Sequence, residues 1–294
     1  MIYTQSRLGP ESTPDVIKYI IITTITISIG SAFTNEIFRW LFSIPGPQEF
    51  LSLSWWGLSQ LFLWQPLSFL FVQVSGMAGI TIHFLINLAF QMYLLWVMGT
   101  NIFEHLGKKH FLKIYFGSGV LAGLVTVLLS GLIGFYPVLE GPSPAIIGLA
   151  IVWLLLNPES EILLFFLIPV KAKWLIAGIL GAILLINLSQ MNLVNLLFYL
   201  TGACFAYIYG VVTCHLRSPF PETHAFEDRI RGWGGSGKGK IIDFRTGQEV
   251  SQSDEQFVDE MLEKIAKKGE GSLTWRERSR MQKISEKKAK KNEK

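Results

Sequence analysis

The sequence predicts an all-α polytopic membrane protein: a six-helix bundle followed by a small soluble helical extension. Three observations predict it. Half of the 294 residues are hydrophobic and only 16% are charged, against about 25% charged in an ordinary soluble domain. The charge is also uneven: residues 215–294 hold 18 Lys+Arg and 14 Asp+Glu, while residues 1–214 hold only 8 of each. Finally, the charge-poor part breaks into apolar runs near the ~20 residues that a spanning helix needs.

In order, a polar N-terminal stretch (1–15) precedes a span at 16–33, rich in Ile and Thr. Residues 47–73 carry Phe50, Trp55, Trp56, Phe62 and Trp64 among scattered Ser, Gln and Pro, which reads as an interfacial loop, because Trp prefers the headgroup boundary. Further spans are expected at 78–100, at 111–135 with five glycines, at 143–156, at 174–188 and at 193–212. Residues 162–169, between Pro158 and Pro169, read as a short re-entrant or interfacial piece. Lys108, Lys109 and Lys113 follow span two, Lys171 and Lys173 follow span four, and the tail is rich in Lys and Arg. Loop cations mark the cytoplasmic side, so both termini are expected there, and the multi-pass chain is expected in a bacterial inner membrane.

After the bundle, 215–252 reads as a linker and 253–294 as a helical basic extension. Ser253 is positioned to cap a helix with Phe257, Val258, Met261, Leu262 and Ile265 on one stripe; Thr274 and Glu277 have capping-box spacing. Gly232 to Lys238 has the spacing of a phosphate-binding loop, but Gly239 replaces the required Ser/Thr and no strand precedes it, so a linker is the reading. In the tail, acids interleave with bases, which points to anionic lipid surfaces rather than nucleic acid. Cys204 and Cys214 read as small buried hydrophobes; neither a metal nor another cofactor is implied.

Two polar features stand out in the apolar region. Ser143, between Pro142 and Pro144, opens span four. It reads either as an N-cap or as a nucleophile at a helix N-terminus, where free N–H groups stabilise an oxyanion. His83 and Asn87 lie four apart on one helix face. They read either as a pair tying helices together or as donors aimed at a developing negative oxygen.

The run Trp64-Gln65-Pro66-Leu67, then His83 with Asn87, Met98-Gly99, Glu104 and Gly107, then Tyr115 to Gly119, Gly141-Pro142-Ser143 and Ile168 to Trp174 resembles the rhomboid intramembrane serine proteases in order and spacing. The resemblance implies Ser143 as nucleophile, His83 and Asn87 as oxyanion donors, and Gly202 and Ala206, four apart, as the small residues that pack span six on span four. Membrane lipid and the transmembrane helices of substrate or client proteins are the implied partners. At the position of the family's histidine base the chain has Tyr199. A phenol, with a pKa of about 10, is a donor and not a base near neutrality. A serine-type endopeptidase and a catalytically inactive rhomboid-like pseudoprotease that holds or routes helices therefore both remain open. A transporter is disfavoured, because no charged residue lies deep in a span.

Overall fold

The computed structural model describes residues 10, 12–42, 46–73, 79–164 and 168–233, together with 241–242, 249–250 and three isolated positions beyond. The expected tail helices around Ser253 and Thr274 lie outside the described residues.

The protein is an all-α polytopic membrane protein. Its first helix, α1 (Asp15–Phe42), runs beyond the expected span. Residues 47–73 form a chain of short pieces: α2 (Pro47–Leu51), β1 (Leu53–Ser54), α3 (Trp55–Ser59), α4 (Gln65–Ser68) and a 3-10 turn at Phe69–Phe71. Gln65 is fully buried and holds this loop together: its Oε1 accepts from Ser54 N at 3.3 Å, and its Nε2 donates to Phe50 O at 3.3 Å. Trp56, Leu61, Leu63 and Trp64 remain exposed.

Next comes α5 (Ile82–Leu132), 51 residues long. At 1.5 Å per residue it would measure about 76 Å, far more than one bilayer crossing. Gly107 breaks it, with φ 82° and ψ 169°, so residues 82–106 and 108–132 are two helical segments. The stretch between expected spans two and three is therefore mostly helical, and one glycine makes the turn where a side chain would be strained. Thr81 caps the first half, its Oγ1 accepting from Phe84 N at 3.2 Å.

The turn after α5 carries β2 (Val138–Leu139), antiparallel to β1 with Leu53 opposite Leu139. Then follow α6 (Ser143–Leu156), the antiparallel pair β3 (Glu161–Leu164) and β4 (Ile168–Lys171), α7 (Ala172–Ser189) and α8 (Leu193–Val212). The piece expected as re-entrant or interfacial, 162–169, falls in this antiparallel pair. With α1 and the two halves of α5, these helices make six apolar segments; by length and composition α1, α5, α7 and α8 are long enough to span, and α6 is shorter.

The core lies where α5, α6 and α8 pack on one another. Ten of the fourteen α6 residues are buried, which a short apolar helix requires when protein, not lipid, surrounds it. By contrast, α7 buries only Ala172, Ile176 and Asn187. Two close approaches bring α8 onto α6. A Cβ added at Gly202 would stand 2.8 Å from Pro144 O, and one added at Gly148 would meet Ala206 Cβ at 3.1 Å.

Residues 215–233, expected as linker, are instead structured. A 3-10 turn at Pro221–Thr223 leads into α9 (His224–Trp233). The buried Glu227 carboxylate accepts from Tyr207 Oη at 2.8 Å and Ser218 N at 3.0 Å, and Thr223 Oγ1, 3.2 Å away, shares its one proton between it and Phe220 O at 2.8 Å. These bonds to one carboxylate hold this segment to the end of α8. The chain divides into two compact units, 1–231 and 232–294.

Candidate active-site cleft

Ser143 sits at the mouth of α6. Gly141, at φ 87°, turns the chain into the helix, and its N–H donates to Phe69 O at 2.9 Å. Pro142 occupies the cap position, its carbonyl accepting from Ile146 N at 2.9 Å. Ser143 is thus the first helical residue and not the N-cap that sequence spacing suggested, which frees its hydroxyl from the capping bond.

Two side chains lie near that hydroxyl. The Tyr199 phenol, half-buried on α8, stands beside it. From α5, Gln91 Nε2 reaches Ser143 Oγ in a long contact of 3.5 Å and donates to Asn87 Oδ1 at 3.1 Å. Gln91 is 7% exposed, and its Oε1 is buried without a partner. Sequence reasoning missed Gln91. The available signal was the continuation of the His83–Asn87 face by one more turn, since residues four apart stack on one helix face.

His83 is exposed on the first turn of α5. It lies eight residues, roughly 12 Å along the axis, from Gln91. The structure therefore links Asn87, Gln91 and Ser143, with Tyr199 beside the serine and His83 one turn of α5 before Asn87. The other histidines are placed elsewhere. His105 Nδ1 meets Asn101 O at 2.8 Å, His110 Nδ1 meets Tyr209 Oη at 3.0 Å, and His224 Nε2 meets Ser218 O at 3.0 Å. His215 follows the end of α8.

Behind Tyr199 an apolar cavity of about 280 Å³ opens between α7 and α8, lined by Leu180, Leu184, Leu196 and Leu200 among others. In the turn before Ser143, burial pushes the Glu140 carboxyl up to about 7; Ser52 opposes the shift and Glu49 adds to it. Among the described residues no group of three His, Cys, Asp or Glu gathers as a metal site. Cys204 is exposed, and the half-buried Cys214 lies with its Sγ 3.7 Å from His110 Nδ1.

A family model of the rhomboid domain matches residues 63–216. The chain belongs to the rhomboid family. No curated protein matches it. The rhomboid match includes Gln65 in the loop before α5, Asn87, Gln91 and Ser143, and Tyr199, Gly202 and Ala206. A rhomboid domain with these helices is an integral membrane protein in contact with lipid. In this rhomboid cleft the side chains at the serine are an amide and a phenol. Both carry protons and serve as donors near neutral pH.

Proposed function

We propose that this chain is a rhomboid pseudoprotease: it engages transmembrane helices in its cleft without hydrolysing them. A serine hydroxyl is a weak nucleophile until a base takes its proton. The observation that carries the reading is that the side chains beside Ser143 are those of Gln91 and Tyr199, neither of which is a base, while His105, His110 and His224 are engaged with other partners. Loss of the base of a catalytic dyad costs several orders of magnitude in rate. In this reading Ser143 keeps a structural part, a hydroxyl bridging α5 and α8 at the start of α6. The partners are membrane lipid and the helices of client proteins. Both termini face the cytoplasm of a bacterial inner-membrane protein, which the cations at Lys108, Lys109, Lys171 and Lys173 support.

The endopeptidase reading needs His83 to serve Ser143 as base. Labelling of the purified protein with a fluorophosphonate serine probe separates the two. The expected result is equal, background labelling of wild type and Ser143→Ala, with a single-span reporter helix retained intact. Labelling of wild type that Ser143→Ala abolishes would establish the protease instead.

A further inference from the structure

We infer that Gln91 is a second lock on Ser143, acting alongside Tyr199, so that two positions and not one set the chemical state of the serine. This rests on the pseudoprotease reading and deepens it. The inference stands on the geometry of one buried carboxamide. Its amino group donates to Asn87 and extends to Ser143, and its Oε1 is enclosed by protein with no donor.

Both ends of that carboxamide act on the serine. As placed, the amino group reaches Oγ, the atom that would attack a carbonyl, at 3.5 Å. Turned by 180° together with the Asn87 amide, so that Asn87 then donates to it, the carboxamide presents Oε1 to Ser143 and accepts its O–H. A buried acceptor without a donor is unfavourable, so in that orientation Oε1 competes for the serine proton with any base placed on α8. The two orientations of an amide are nearly isosteric, and each ties Ser143. Replacing Tyr199 by histidine therefore supplies a base but leaves the hydroxyl engaged by Gln91. Gln91 touches no substrate in this account; it is a positioning residue for the serine.

The test uses the full-length protein in detergent and a fluorophosphonate probe. Wild type, Gln91→Leu, Tyr199→His, the double variant and the double variant with Ser143→Ala are labelled across pH 5 to 9, with thermal unfolding recorded for each. Gln91→Met, close in length, takes the place of leucine if the leucine variant unfolds. The double variant is expected to label at least about tenfold faster than Tyr199→His alone, roughly what releasing one hydrogen bond gives. Its rate should rise with pH through the imidazole range near 6.5, and Ser143→Ala should abolish it. Equal rates for Tyr199→His and the double variant, or a folded double variant that does not label, would overturn the lock and leave the pseudoprotease reading standing. Ser143-dependent labelling of wild type or of Gln91→Leu would instead overturn that reading itself.

Discussion

Gly202 on α8 lies so close to Pro144 on α6 that a Cβ added there would stand 2.8 Å from the proline's carbonyl oxygen and 2.9 Å from its Cβ. The obstructing oxygen belongs to the backbone of the first helical turn after Ser143, so no rotamer change relieves the contact. Gly202→Val should cost about 1–3 kcal/mol by overpacking and should also displace α8 from Ser143. Thermal unfolding of the purified protein in detergent measures the loss. Gly178→Ala on α7, where an added Cβ meets nothing within 4 Å, is the matched control and should not destabilise, since Ala is the better helix former.

The Glu227 cluster makes a second prediction. Removing the carboxylate with Glu227→Ala strips the buried Ser218 N–H of its acceptor and releases Tyr207 and Thr223. Hydrogen bonds to a charged group contribute about 1.5–3 kcal/mol each, so the segment should open locally while the spans stay folded. Hydrogen exchange should accelerate across residues 218–230 and remain unchanged in α6. If residues 218–230 exchange as slowly in the variant as in wild type, the carboxylate does not hold the segment.

What could be read from the sequence follows from which forces leave a pattern in it. The helices over 193–212 and 143–156 were legible in the sequence, because long apolar runs between turn residues mark them whether lipid or protein surrounds them. Gly107 was visible, but not as the single break in one long helix, since composition around a glycine does not reveal its φ. At the cleft, Ser143 and Tyr199 were legible through ordered motifs. Gln91 was not, because a polar residue in a span acquires meaning only from the helix it faces, and the 51 residues between it and Ser143 carry no record of that contact. Glu227 was hidden for the same reason: three donors from separate positions define its role, and none is marked by spacing.

The Glu140 carboxyl titrates near 7 because burial disfavours its charge. Its folded pKa lies above the unfolded value of about 4.3, so the folded state binds the proton more tightly. Its contribution is fully present below about pH 4.3 and is lost as pH rises toward 7. Ionisation sets its charge against Glu49 and leaves the buried Oε2, already without a partner, to carry charge. The β1–β2 pairing beside Ser143 should therefore loosen as pH rises from about 5 to 8. Hydrogen exchange at Leu53 and Leu139, corrected for intrinsic rates, should show that trend in wild type. Glu140→Gln should flatten it; an identical trend in that variant would assign the effect to another group.

At the opposite end of α6, Glu159 has the reverse sign. Lys171 Nζ and Lys173 Nζ approach its carboxylate at 2.7 and 2.6 Å, and these hydrogen bonds hold it down at about 2. The folded pKa is below the unfolded value of about 4.3, so the ion pairs support the folded state above pH 4.3 and are lost as pH falls toward 2. The carboxylate is solvent-exposed, and salt should screen the interaction. Carbon-detected NMR titration of Glu159 should give a midpoint near 2 at low salt and a higher one at 1 M salt. Lys171→Ala with Lys173→Ala should return it toward the ordinary glutamate range. Because the two lysines flank the start of α7, which buries only three residues, the same double variant should raise exchange in the first turn of α7 more than in α6. Unchanged exchange there would mean that packing at Ala172 and Ile176 seats the helix without the ion pairs.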